Sequence, residues 1–472
     1  MNCRMMGKGI GLVVLLCIYV ADAVAQPLAQ RVEALMAATG WLRTSEVGIA
    51  VYDLTDQQPL FCYQAEKLFR PASTEKVITT VTALGELGTD YMFRTQLART
   101  GTLQGDTLKG DLYVVGHFDP EFSEEDLQVL AASAVSAGIR YVEGRLVGDV
   151  SLMDSIPWGS GWCWDDAPSA FQPYLSPLML NRGCVDIRVT PARKGEAPLV
   201  EVTPVSDYYT VDNRAVSHDA TAAPLRVTRD WMTHQNDIRV TGNAARPFSG
   251  SLSVYGSADF FLQTLRYRLR QSGIELAGGV ATAPCSSEAL LVGKVERPLQ
   301  AVVERALKES DNLSAEALFF HTALVTSGTL PVRFEQGQEA VGRFMRQRLG
   351  LSPEECVIVD GSGLSPYDLI SPDLLLEYLK YAAADSVLFP ALYAALPIAG
   401  IDGTLQHRMK KGKAYRNVRA KTGSVTGVST LAGYVRQQSS GHRLAFVIFH
   451  QNVLSVRQAR AFQDQLCEIL SE

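Results

Sequence analysis

Helical periodicity at both ends of the chain brackets a β-rich middle, and this order of textures restricts the fold more than any other feature. Residues 28–38 place Leu28, Val32, Leu35 and Met36 at helical spacing before Gly40, and 47–52 read as a strand. A helix is predicted over 73–87, with Val77, Ile78, Val81 and Leu84 as its apolar stripe. From residue 90 to 290 the pattern turns to short strands with turn signals at Gly101, Gly105-Asp106, Gly110, Gly144 and Gly148-Asp149. Helical patterns over 124–137 and 258–272 interrupt them. Amphipathic helices return at 299–308, 315–324, 335–349 and 372–382. Two β-rich runs, 418–434 and 443–450, flank the hairpin signal Ser439-Ser440-Gly441-His442, and a helix over 455–470 follows. The pattern predicts one α/β domain split by an insertion: 26–88 with 288–472, and 89–287 inserted. Polar, Pro-containing stretches at 191–224 and 242–252 predict a subdomain nested near 190–252.

The first 25 residues are expected to lie outside that fold. Arg4 and Lys8 precede an apolar run from Ile10 to Val20, and Ala23-Val24-Ala25 forms a small-x-small site before Gln26. This reads as a cleaved secretory signal peptide, since the run is too short to span a bilayer. A lipoprotein signal using Cys17 is the weaker reading, because Leu16 is bulky for the position before it. No transmembrane anchor is expected after cleavage, which implies an exported protein, periplasmic or peripheral to the membrane. Six cysteines then remain: Cys62, Cys163, Cys184, Cys285, Cys356 and Cys467. They form neither a CxxC pair nor a group with histidine, so no metal site is predicted. Cys163 with Cys184 is the nearest candidate disulfide, and buried free thiols are the alternative. A net charge of -6 and a pI near 5.8 argue against a nucleic-acid partner.

Three short motifs carry the chemistry. In Ser73-Thr74-Glu75-Lys76, a helix puts positions i and i+3 on one face, so an amine can take the proton of a serine nucleophile. SxxK alone arises by chance about once in a chain this long, and a helix-capping serine is its bland reading. Ser310-Asp311-Asn312 lies between helical patterns. It offers a hydroxyl and an amide for proton relay and substrate binding, or simply a cap for the helix after it. Lys421-Thr422-Gly423-Ser424 sits on a strand, where glycine admits a close backbone approach and the lysine and hydroxyls suit a carboxylate. No GxSxG elbow or GxxxxGK[ST] phosphate loop is present.

Taken in order, the three motifs form the SxxK, SDN, KTG set of β-lactamases and penicillin-binding proteins. The 237 positions from Ser73 to Ser310 are too many for a compact β-lactamase and fit large inserted domains. The chain resembles the class C low-molecular-mass penicillin-binding proteins, a family of D-alanyl-D-alanine carboxypeptidases and endopeptidases. Supporting segments are Pro71 to Val77, the Gly116-His117-Phe118-Asp119-Pro120 turn, the Trp-rich loop Gly161 to Asp166, and Asp360-Gly361-Ser362-Gly363-Leu364-Ser365. The chain departs from the family where Pro366-Tyr367-Asp368 replaces Arg-x-Asn, and where His117 and Phe118 replace small residues.

The resemblance implies an α/β fold with a serine β-lactamase/transpeptidase-like domain, helices on an antiparallel sheet, interrupted by large β-rich inserted domains. It implies Ser73 as nucleophile, Lys76 as base, Ser310 in proton transfer to the departing amine, and an oxyanion hole from the Ser73 and Ser424 N–H groups. Asn312 would hold the acyl side chain, and Lys421, Thr422 and Ser424 the substrate's terminal carboxylate. Asp165 is the candidate to grip the free amine of a diaminopimelate side chain. The implied function is D-Ala-D-Ala carboxypeptidase and/or endopeptidase action on peptidoglycan stem peptides, without a cofactor, with β-lactams as covalent inhibitors. A β-lactamase or esterase on this scaffold, and a non-catalytic peptidoglycan-binding protein, are the alternatives.

Overall fold

The computed structural model describes residues 27–219 and 223–472; the expected signal segment lies outside them. The strand Arg443–Gln451 explains how the part of the chain that carries the three motifs is built. Its run Leu444-Ala445-Phe446-Val447-Ile448-Phe449 is apolar on both sides, so it must be covered on both faces. It sits at the centre of a five-stranded antiparallel sheet in the order Arg419–Val425, Val428–Arg436, Arg443–Gln451, Glu46–Asp53, Gln58–Tyr63. Leu444, Phe446 and Ile448 pack with Val32, Phe462, Leu466 and Leu470 from the helices Leu28–Ala38 and Val456–Ser471. Ala445, Val447 and Phe449 join the opposite core, which holds Val77, Ile78 and Val81 of the helix Lys76–Leu87 and Leu313 and Ala317 of the helix Asn312–Ser327. Each such fully buried aliphatic side chain contributes about 1.5–3 kcal/mol.

Between these pieces the described residues make four further sheets. Met92–Arg99 and Leu290–Pro298 pair antiparallel from Met92↔Pro298 to Arg99↔Leu290, so the chain enters and leaves this region side by side. The region has its own core, with Leu97, Leu112, Val114, Ile187, Val240, Phe260 and Leu265 fully or almost fully buried. Its helices are Glu124–Ser136 and Ser257–Gln271. Thr210–Asn213, Arg226–Arg229 and Asp237–Thr241 form a small sheet of their own.

The structure revises several sequence expectations. The run at 418–434 is two strands joined through Thr426 and Gly427, because Gly427 takes a positive φ of 76° that reverses the chain. Leu388–Ala395 is a helix that apolar periodicity alone did not separate from its surroundings. The candidate Cys163–Cys184 disulfide is absent, and all six described cysteines are free. Cys184 is buried with its Sγ 3.4 Å from the Arg182 carbonyl, whereas Cys163 is exposed. Phe118, which stands where the family has a small residue, lies fully buried at a φ of 52°, edge-on to Phe320. Among the described residues no helix is long and apolar enough to cross a membrane.

Candidate active site

The serine turn is not α-helical at its start. Ala72–Glu75 is a 3-10 turn that leads into the helix Lys76–Leu87. Side chains three apart eclipse in a 3-10 turn, which aligns Ser73 with Lys76 more closely than an α-helix would. The Lys76 Nζ donates to Ser73 Oγ at 3.0 Å, to Asn312 Oδ1 at 2.7 Å and to the Ser362 carbonyl at 2.7 Å. Three acceptors fix the amine and leave it no freedom to turn away. Lys76 is fully buried, and burial pushes its pKa down to about 8 against the upward pull of Asp360, Glu316, Asp311 and Glu75.

The two other motifs converge on this turn. Ser310 holds a φ of 62°, costly for a residue with a Cβ, and precedes Asp311, the cap of the helix Asn312–Ser327. Asp311 accepts from Ser314 N at 2.8 Å and pairs with Arg182, so the capping role and the placement of Ser310 are one device. Lys421 Nζ donates to Ser310 Oγ and to the Thr422 carbonyl, each at 2.7 Å. Burial, and secondarily the charge of Lys76, hold Lys421 well below the usual amine range. Two buried amines this close resist carrying two protons at once. Asn312 spends both ends of its amide: Oδ1 on Lys76 and Nδ2 on the Phe171 carbonyl at 2.8 Å.

Arg419–Val425 is the outer strand of the sheet. Pro397 caps its start by accepting from Ala420 N at 3.1 Å, and beyond that the outer edge has no strand partner among the described residues. Lys421 and Gly423 face the serine turn on the buried side, while Thr422 is half-buried and Ser424 exposed. The Thr422 hydroxyl donates to Thr404 Oγ1 at 2.8 Å. A Cβ on Gly423 would stand 2.2 Å from Thr430 Oγ1, 2.9 Å from the Pro71 carbonyl and 3.0 Å from Ser73 N. Glycine is therefore what lets the strand reach the serine. Gly423→Ala is expected to slow acylation at least tenfold and to cost about 1–3 kcal/mol of stability, measured by adduct formation and denaturant melts.

The Trp-rich loop divides. Trp162 is buried and donates from Nε1 to Asp360 Oδ2 at 2.8 Å, a packing role. Trp164 is 61% exposed and lies 5.4 Å from Trp231 between ring centroids. Asp165 stands exposed beside it on the 3-10 turn Trp164–Asp166 and is not brought to the Ser73–Lys76 pair by any hydrogen bond. Sequence reasoning gave no site role to Arg182, Thr404, Thr430 or Ser362. Only Ser362 left a signal, since it lies within the Asp360-to-Ser365 element.

Ser73, Lys76, Ser310 and Lys421 thus form two linked amine–hydroxyl pairs at the edge of a sheet, an arrangement suited to acyl transfer. Comparison with known proteins agrees. Residues 28–472 match the model of the D-Ala-D-Ala carboxypeptidase 3 (S13) family. The D-alanyl-D-alanine carboxypeptidase DacB of Haemophilus influenzae is 31% identical over 413 residues, 86% of this chain and 85% of that protein. The D-alanyl-D-alanine carboxypeptidase of an Actinomadura species is 31% identical over 449 residues, covering 90% of this chain and 81% of that protein. The crystal structure of penicillin binding protein 4 from Haemophilus influenzae superposes with a TM-score of 0.81 at 28% identity, over 93% of this chain and 99% of that one. The chain belongs to the D-Ala-D-Ala carboxypeptidase 3 (S13) family of serine-type peptidases.

Proposed function

We propose that this protein is a D-alanyl-D-alanine carboxypeptidase and endopeptidase of peptidoglycan stem peptides that works through an acyl-enzyme on Ser73. The observation that carries this reading is the buried Lys76 amine, 3.0 Å from the Ser73 hydroxyl and titrating near 8. At that value a useful fraction of the lysine is neutral and able to remove the serine proton. Ser73 Oγ attacks the carbonyl of the penultimate D-alanine, and its proton passes to Lys76. The tetrahedral oxyanion is held by the N–H groups of Ser73 and Ser424. The C–N bond then breaks as the proton held by Lys76 passes through the Ser310 hydroxyl to the leaving amine, which returns Lys76 and Ser310 to their starting states, while Lys421 orients that hydroxyl by its hydrogen bond. Water, activated in the reverse sense, releases the acyl group. The open edge of Arg419–Val425 offers main-chain pairing to an extended stem peptide, with Thr422 and Ser424 near its terminal carboxylate. Asn312, already anchored at both ends of its amide, borders the acyl side chain.

β-Lactams acylate the same serine, a reading supported by a related penicillin binding protein 4 solved in complex with a β-lactam, at 27% identity and a TM-score of 0.76. Two further readings belong here. Residues 26–88 with 288–472 form the catalytic domain and 89–287 the inserted one, with the small sheet near 190–252 nested in it; the paired strands Met92–Arg99 and Leu290–Pro298 support that division. The N-terminal segment directs export to the periplasm.

Incubation with cross-linked muropeptides tests the activity: release of free D-alanine marks the carboxypeptidase, and conversion of dimers to monomers the endopeptidase. Asp165, exposed on the Trp-rich loop, is assigned to the free amine of the stem peptide. Asp165→Asn is expected to raise KM for amine-bearing stem peptides about 3–30-fold, the loss of one charge-assisted contact, and to leave the penicillin acylation rate in place. Equal effects on both would remove that assignment.

A further inference from the structure

Behind the serine turn lies a group of carboxyls that acyl transfer does not use. Glu75, Asp360 and Asp368 are each fully buried, and one carboxyl oxygen from each lies within 4.8 Å of the others. Asp360 is fully employed. Its Oδ1 accepts from Ser362 N at 2.9 Å and Gly363 N at 2.6 Å, and its Oδ2 from Ser365 N at 2.9 Å and Trp162 Nε1 at 2.8 Å. Four donors fill its acceptor capacity. Asp368 accepts from Val359 N at 2.7 Å with one oxygen only. Its other oxygen and both oxygens of Glu75 are buried and meet no N–H or hydroxyl donor among the described residues.

Two buried carboxylates cannot face each other without a donor unless a proton stands between them. A divalent cation is the other way to neutralise them, but Asp360, with its lone pairs already filled, has no ligand position to give. We propose that Glu75 and Asp368 share a single proton, and that the resulting pair, carrying one negative charge, sets the electrostatic environment of Lys76. The inference rests on the reading of Lys76 as base. Asp368 is also one of the residues at which the chain departs from the Arg-x-Asn of its family.

The geometry links the pair to the amine. Glu75 precedes Lys76 directly, and the Ser362 carbonyl that accepts from Lys76 Nζ belongs to the turn organised by Asp360. A Cβ on Gly363 would stand 2.1 Å from the Ala72 carbonyl and 3.1 Å from Glu75 Cβ, so that turn and the serine turn are in direct contact. The titratable groups around the pair are Lys76 on the serine turn and Asp360 on its own segment. Glu316 joins them from the helix Asn312–Ser327, its Oε2 accepting from Gly361 N at 3.0 Å, and buried Tyr378 from the helix Pro372–Ala384, with Cys356 beyond it. Asp311 acts on Lys76 as well, and Lys76 in turn on Lys421. Burial and the neighbouring carboxyls hold Glu75 and Asp368 well above the usual carboxyl range, and burial and Asp360 raise Glu316 to about 8.

Infrared spectra and pH–rate profiles of the full-length mature enzyme test the proposal. At pH 7 the wild type should show, beside the band of Glu316 that both proteins share, a protonated-carboxyl C=O band that Glu75→Gln lacks, because the new amide donates to Asp368 and the proton is no longer needed. The acid limb of penicillin acylation should hold its position in Glu75→Gln, whose pair still carries one charge. It should move down by about one to three pH units in Glu75→Gln/Asp368→Asn, which carries none. Identical spectra for wild type and Glu75→Gln would overturn the shared proton. So would a Glu75→Gln limb displaced as far as in the double variant, or a stoichiometric divalent metal in the purified enzyme. Should the double variant not fold, the infrared comparison decides alone. That band reports the proton whether or not Lys76 is the base: its loss in Glu75→Gln with a limb that stays in place in the double variant overturns the coupling, whereas a Lys76→Met enzyme with its acylation rate intact overturns the base reading.

Discussion

Ser73→Ala is expected to remain folded and to hydrolyse D-Ala-D-Ala substrates roughly 10⁴–10⁶-fold more slowly, the range for loss of a nucleophile that works as one unit with its base. Folding should survive because Ser73 is only partly buried and its hydroxyl serves no backbone group in the turn. The turn is held by other contacts. Thr74 Oγ1 donates to the Pro71 carbonyl at 2.6 Å, Thr430 Oγ1 to the same carbonyl at 2.8 Å, and Thr79 Oγ1 to the Gly361 carbonyl at 2.7 Å. A thermal melt close to that of the wild type, together with lost turnover, separates loss of the nucleophile from loss of the fold. Turnover within tenfold of wild type would place the nucleophile elsewhere.

Lys76→Met is the second large effect, an expected fall of about 10²–10⁴ in acylation rate. It should also destabilise, since Asn312 Oδ1 and the Ser362 carbonyl lose their donor at a cost of about 1–3 kcal/mol each. In the wild type the same amine sets the pH dependence. Its free-base form is the active one, and with a pKa of about 8 the fraction in that form falls about tenfold per pH unit below it. The acylation rate should therefore climb through neutrality and level off above pH 8. A rate flat from pH 6 to 9 would mean that Lys76 does not titrate as the base. At the acid end the same amine gains its charge while still buried, so no compensating rise is expected there.

The part of the chain that carries the three motifs was readable because its signals are local. The stripe Val77, Ile78 and Val81, the two-sided apolar run 444–449 and the hairpin at 439–442 each specify one element without help from the rest of the chain. Ser73 and Lys76 were legible for the same reason, being three residues apart on one turn. Their junction with Ser310 and Lys421 was legible only through the resemblance to a family, since nothing in spacing says that positions 237 apart will meet. Two features resisted. Arg182 pairs with Asp311 across 129 positions, from a residue with a φ of 61° that no pattern announces. Glu75 reads in sequence as an ordinary exposed helix-start carboxylate, and its burial depends on segments hundreds of residues away. Trp162 and Trp164 look alike in the sequence, yet one is core and the other surface, because only the fold decides which meets Asp360.

The central claim is that Ser73 becomes acylated. Intact-mass spectrometry of the mature protein after benzylpenicillin tests it most directly, with peptide mapping of the modified residue and Ser73→Ala alongside. The account predicts a stable adduct of one penicillin per chain, carried by the peptide containing Ser73 and missing from the variant. An adduct that vanishes as penicillin is hydrolysed would point to a β-lactamase. No adduct and no hydrolysis would contradict the acyl-enzyme altogether.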